Sequence, residues 1–215
     1  MAKQSSGQVR RQRTVAPKPG RRERHRVETR ERIFRAALGL FAQRGFPATT
    51  VEDITEAADV GKGTFFNYFP SKEHVLAAFS DLQVGKVVAA VAGSGASARP
   101  PREVLQGMVH ALAEEPGRSP ALVRALMTAM LTNEEVRQLV LRNLRRAWEA
   151  LSALFAQAQK RGAIRRGVEP LQLARAMQQM FFGTLFLWAL DPSEKLAARF
   201  DRSFGMFWAG IGGKE

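Results

Sequence analysis

Apolar residues return every three or four positions along most of this chain, and the first eighty residues carry no strand signal. The period opens near Val27, with Ile33, Ala37, Leu40 and Phe41 on one face and Phe34 and Leu38 beside them. Gly45 stops this helix, and "FPATT" (46–50) is the connection. Thr50 is a good N-cap for a short second helix over about 51–58, with Asp53 at its positive end. "DVGKG" leads to a third short helix. Ser71 is placed to cap a longer one that runs to about Ala92, and "GSGASARPP" (93–101) reads as a linker. Further helices are expected over about 102–114, 120–131, from the Asn133 cap to about Arg161, 170–190 and 194–210. The longest of these places Val136, Leu139, Val140, Leu144, Trp148, Leu151 and Phe155 at helical spacing. The pattern predicts an all-α chain of about nine helices, with a small N-terminal three-helix unit and a larger C-terminal bundle.

Composition narrows the class. The 215 residues suit one large domain or two small ones, and 45% hydrophobic residues are enough for a core. No run of 18 uninterrupted apolar residues appears, so no membrane span is expected, and the arginine-rich start lacks the apolar stretch of a secretory signal. Cysteine is absent, which excludes disulfides, thiolate metal sites and a Cys nucleophile and fits a cytoplasmic protein. The formal net charge is +13, and eleven Lys/Arg against three Asp/Glu fall within residues 1–32. Residues 1–25 have no apolar period and are expected to form a disordered basic arm. Such an arm suits a polyanion, either nucleic acid or an anionic lipid surface, or serves as a solvated tail.

Several motifs fail on inspection. "GSGASA" (93–98) imitates a dinucleotide fingerprint, but Arg99-Pro100-Pro101 intervenes where a helix must open, and no βαβ context exists. "GKGT" (61–64) has Gly63 where a phosphate loop needs Ser or Thr. His25, His74 and His110 are isolated in sequence, so no metal site is expected. No nucleophile elbow and no acid/base pair stands out, so neither catalytic residues nor a cofactor are expected.

Residues 50–69 read as helix, tight turn, helix. Ile54, Ala57 and Ala58 form an apolar side, Asp59 occupies the turn, and Val60 plugs between the helices. The second helix of such a unit lies in a DNA major groove. Phe65 and Phe69 are four apart and face inward; Lys62, Gly63, Phe66 and Asn67 face outward. Lys62 suits guanine and Asn67 suits adenine, Gly63 permits close backbone approach, and Phe66 suits a thymine methyl or deoxyribose. Thr50, Thr64, Tyr68 and Lys72 carry groups suited to phosphate. The competing reading puts all four aromatics in the core.

"ETRERIFRAALGLFAQRGFPATTVEDITEAADVGKGTFFNYFPSKEHVLAAF" (28–79) resembles the DNA-binding domain of the tetracycline-repressor (TetR/AcrR) family. The marks are "AALGLFAQRGF", "TTVEDI" and "GKGTFFNYFPSKEHVL", in order and at matching spacing. The resemblance implies DNA contacts at Lys62, Gly63, Thr64, Asn67, Tyr68 and Lys72, with Thr50 at the second helix's cap. It implies a homodimeric regulator, usually a repressor, built through the last two helices and released from a palindromic operator by a small-molecule effector. Domain limits would be 1–25 for the arm, 26–75 for the DNA-binding unit and 76–215 for effector binding and dimerisation. This chain departs at Asp59, where Gly is usual in the turn, at Phe66, where Tyr is common, and at Tyr68, where His is frequent. No Arg lies in the recognition helix, so guanine readout rests on Lys62.

The bundle supplies a stripe of Met and aromatic residues that serves as core or lines an adaptable apolar pocket. Met108, Met127, Met130, Trp148, Phe155 and Phe181 are the candidate lining, with His110, Thr128 and Gln157 as orienting groups. Without an obvious counter-ion, a neutral or weakly polar lipophilic or aromatic effector is expected. Two other classes stand beside this one. A non-specific DNA-compacting or membrane-surface protein binds any DNA or anionic lipid and lets go at moderate salt, and an all-α enzyme turns over its ligand.

Overall fold

A computed structural model describes residues 20–96 and 99–213. Among them run α1 (Arg21–Arg44), α2 (Val51–Ala57), α3 (Lys62–Tyr68), α4 (Lys72–Ala96), α5 (Pro101–Ala113), α6 (Pro120–Thr132), α7 (Glu134–Lys160), α8 (Pro170–Leu190) and α9 (Leu196–Ile211). A single 3-10 turn over Pro116–Arg118 separates α5 from α6. The architecture is all-α, as the pattern predicts; one isolated antiparallel bridge, Ile164 to Gly212, ties the α7–α8 loop to the end of α9.

Two boundaries differ from expectation. Helix α1 starts at Arg21 rather than near Val27, so residues 21–25 of the expected arm are helical and Gly20 is the N-cap; residues 1–19 of that arm lie outside the described residues. "RRERHR" contains no breaker, and Arg and Glu are good helix formers. An exposed turn needs no apolar face, so the helix runs past the point where the apolar period begins. Helix α4 likewise continues to Ala96, through residues expected as linker. The chain breaks instead around the prolines, with Pro100 as the N-cap of α5 and Pro101 in its first turn.

Two clusters of buried side chains hold the fold. The first joins Ile33, Ala37, Leu40 and Phe41 of α1 to Phe46, Ile54, Phe65, Phe69, Val75 and Leu76. The second joins α4, α5, α7, α8 and α9 around Leu105, Phe155, Phe200 and Phe204. Helix α6 lies between them. Leu122, Ala125 and Ala129 enter the first cluster, while Val123 enters the second. The stretch Lys62–Ser94 is long and apolar enough to cross a membrane by composition. In this fold its Val75 and Leu76 are buried in the first cluster and its Val84 and Val87 in the second.

Polar ties lock the bundle's ends. Gln83 Nε2 and Lys86 Nζ on α4 donate to the carbonyls of Leu112 and Ala111 at 2.8 and 2.7 Å, closing the last turn of α5. Arg124 of α6 donates to the Ala189 carbonyl near the end of α8 at 2.6 Å.

Candidate nucleic-acid interface and ligand cavity

The α2–α3 unit is fixed by local hydrogen bonds before any packing. The Thr50 hydroxyl accepts from the Asp53 N–H at 3.1 Å, and Asp53 Oδ2 accepts from the Thr50 N–H at 2.8 Å, a reciprocal capping box. Arg44 donates to Asp53 Oδ1 at 3.0 Å. The Thr50 N–H and hydroxyl, then Arg44, hold the Asp53 carboxyl below its ordinary value. At the other end of α2, Asp59 takes φ 50, the one positive-φ non-glycine among the described residues. Its N–H donates to the Glu56 carbonyl at 3.1 Å and the Val60 N–H to the Thr55 carbonyl at 3.0 Å. This nested pair is the Schellman termination, with Asp in the position glycine prefers. Val60 follows, half-buried against the first cluster.

Helix α3 sorts its side chains as helical geometry requires. Phe65 and Phe69 are 0% and 2% exposed, with ring centroids 5.9 Å apart. Phe66 is 52% exposed and meets Phe65 edge-on at 5.4 Å. Lys62, Gly63 and Asn67 are exposed with it, while Thr64 and Tyr68 are half-buried and Tyr68 leans on the first cluster. A Cβ at Gly63 meets nothing within 4 Å, so internal packing does not demand glycine there. The Lys62 ammonium contacts the Glu52 carboxylate.

Lys72, expected on phosphate, has its ammonium engaged within the protein. Its Nζ donates to the carbonyls of Phe46, Pro47 and Thr49 at 3.0, 3.3 and 2.8 Å and lies 4.7 Å from the Phe46 ring centroid. An ammonium has three donors, and all three are used on the α1–α2 loop. Ser71 stands directly before α4, at the cap position expected of it, and its hydroxyl is hydrogen-bonded to His74 Nδ1 at 3.0 Å.

Within the bundle a cavity of about 160 Å³ is lined by α4 to α8, including Met108, Met127, Met130, Trp148 and Phe181. His110 is not among the lining residues. Its Nε2 is 2.8 Å from Asp201 Oδ1, which also accepts from Gln106 Nε2 at 3.0 Å, a polar clasp between α5 and α9. The Gln106 and His110 contacts hold the Asp201 carboxyl below its ordinary value. Phe155 is also outside: it is fully buried and packs against Phe207 at 6.5 Å. Thr128 and Gln157 are exposed. The polar lining comes instead from Ser80, Gln83 and Gln178. The signal for the first two was the stripe Leu76, Ser80, Gln83, Val84, Val87 along α4, a helix from which no lining residue was expected. The Trp148 indole N–H donates to Gln178 Oε1, and the Arg175 guanidinium covers the Trp148 ring at 5.1 Å. No charged side chain among the described residues lines the cavity.

The family profile for "Bacterial regulatory proteins, tetR family" matches residues 33–79, from within α1 into α4. FadR of Thermus thermophilus, a TetR-family transcriptional repressor solved with lauroyl-CoA, is 33% identical to this chain. The match covers 86% of this chain and 96% of FadR, with a TM-score of 0.58. The chain belongs to the TetR family. Among curated TetR-like regulators, the repressor KstR of Mycobacterium tuberculosis is 26% identical over 184 residues, 79% of this chain and 77% of KstR. Outside that group by name, the uncharacterized HTH-type transcriptional regulator YerO of Bacillus subtilis is 30% identical over 115 residues, 52% of this chain and only 40% of YerO. Membership of the TetR family agrees with the helix-turn-helix and the all-α bundle described above.

Proposed function

We propose that this chain is a cytoplasmic, homodimeric transcriptional repressor that binds a palindromic operator through α3 and releases it when a small lipophilic effector enters the bundle cavity. The observation that carries the reading is the split surface of α3: two phenylalanines buried beneath and Lys62, Gly63, Phe66 and Asn67 exposed above. An exposed aromatic beside groups able to read base edges suits a major groove. Leu171, Phe186, Leu187, Leu190 and Met206 are exposed apolar residues on α8 and α9, in keeping with a two-fold interface there.

The effector's chemistry follows from the cavity. Its lining residues on α7 run from Val136 to Leu151, about 22 Å at helical rise, and those on α4 from Leu76 to Val87, about 17 Å. A long, uncharged space suits a slender apolar molecule or chain, and the lauroyl chain of the lauroyl-CoA bound by the related FadR is in keeping with that. Release then requires a state in which the two α3 helices no longer match successive grooves. Helix α6, with Val123, Met127 and Met130 on the cavity and Leu122, Ala125 and Ala129 in the DNA-binding core, joins α4 as the connection.

The test is selection of bound sequences from a random DNA pool, then a screen for compounds that free the protein from the winner. A discrete palindromic winner and apolar releasing compounds are expected. Binding without sequence preference, abolished by moderate salt, supports the DNA-compacting reading instead, and turnover of a bound compound supports an enzyme.

A further inference from the structure

The element that reads DNA is itself acidic. Residues 51–69 hold four carboxylates, Glu52, Asp53, Glu56 and Asp59, and one cation, Lys62, in a chain of net charge +13. Asp53 is consumed by the capping box and Arg44. Glu52, the second residue of α2, contacts Lys62, the first residue of α3, across the turn, and both side chains are well exposed. An exposed ion pair contributes little to stability, so the fold does not require this one.

We infer that Glu52 is a specificity-determining residue: its carboxylate restrains the Lys62 ammonium so that α3 gains little from random DNA and commits Lys62 only to a correctly placed base. The inference rests on the reading of α3 as the DNA-contacting helix. A free lysine is a compact point charge that goes to any phosphate, and phosphate contacts carry no sequence information. Leaving Glu52 gives up the pair and turns an uncompensated carboxylate toward the DNA backbone. A single phosphate oxygen returns little against that cost. Guanine O6 and N7, aligned in the groove, return two hydrogen bonds. The hydrogen bond from Lys62, with one from the backbone, holds the Glu52 carboxyl below its ordinary value, so the restraint is present throughout the neutral range. With no arginine on α3, this one pair governs the helix's cationic contribution.

The test uses the full-length chain and two duplexes: the operator selected from the random pool, and a scrambled duplex of equal length and composition. Affinities are measured over a salt series for wild type, Glu52→Gln, Lys62→Met, the double variant and Glu56→Gln. Glu52→Gln is expected to tighten scrambled DNA by about three- to tenfold and to steepen its log–log salt slope by about 0.9, one further phosphate neutralised. The operator is expected to gain less, so the ratio of the two affinities falls. In the Lys62→Met background Glu52→Gln tightens both duplexes by the same factor, so the ratio no longer falls, and Glu56→Gln leaves the ratio unchanged. Equal gains on both duplexes with Lys62 in place, or a fall in the ratio that survives in Lys62→Met, overturns the inference and leaves only the field of a removed charge. If Lys62→Met leaves operator affinity unchanged, the reading of α3 itself fails, and that outcome is separate from any change in the Glu52 variant.

Discussion

The two buried clusters of this TetR-family chain solve different problems. The N-terminal one is closed around Phe41, Phe65, Phe69, Ile33 and Ile54, each no more than 2% exposed. The C-terminal one borders a cavity of about 160 Å³, whose wall also takes Leu76, Phe79 and Val136 from the edge of the first cluster. Close packing around the phenylalanines of α1 and α3 gives that part of the first a single arrangement and fixes what α3 presents. The void beside the second forfeits dispersion contacts and leaves space that a ligand can recover. Helix α6 touches both, so a change of filling in one meets a rigid body in the other. Filling and emptying the two clusters should therefore have opposite consequences.

The largest effect belongs to the closed cluster. Phe65→Ala is expected to cost about 3–5 kcal/mol in denaturant unfolding, because a fully buried ring leaves a cavity where none can be absorbed. Phe66→Ala, one residue on, is expected to move stability by less than about 0.5 kcal/mol while weakening operator binding. Equal losses of stability at both positions would put Phe66 in the core and remove the distinction between the two faces of α3.

Lys72→Met comes next. Three carbonyls of the α1–α2 loop lose their donor, at an expected cost of about 1–3 kcal/mol. DNA affinity should fall only as the folded fraction falls, with an unchanged salt slope. A reduced slope at full stability would restore Lys72 to the phosphate backbone. In the other cluster, Ala147→Leu fills space beside the cavity and is expected to raise stability by about 0.5–2 kcal/mol. Operator binding should persist and release by effector should fail. A drop in melting temperature with intact release would mean that the void is not available at that position.

These contrasts also explain what the sequence could reveal. The helix-turn-helix is legible because its determinants are local: the Thr50 cap, Asp59 in the turn and the four-residue spacing of Phe65 and Phe69 all act within one or two turns. Lys72 is not legible in that way, because its partners lie 23 to 26 residues earlier and only folding brings them together. The cavity was half legible. A Met and aromatic stripe marks a buried face, but core and cavity wall carry the same residues, so Phe155 and Met108 are alike in sequence and differ only in which way their helices turn. His110 was misread for a related reason: the clasp to Asp201 spans 91 residues. The early start of α1 escaped because an exposed, charged turn has no apolar signature.

The smallest change tests the turn itself. A non-glycine residue at φ 50 carries a steric cost that Asp bears better than most, and glycine bears none. Asp59→Gly exchanges that strain for extra backbone entropy in the unfolded chain, so a net gain of no more than about 1 kcal/mol is expected in unfolding. The exposed Asp59 carboxylate is also one of four on the α2–α3 segment. Its removal should tighten operator and scrambled DNA by the same factor, because no hydrogen bond ties it to Lys62. Glu52→Gln should instead favour the scrambled duplex. The two substitutions remove the same charge from the two ends of α2, so a difference between them isolates the contact with Lys62 from the general repulsion of the DNA backbone.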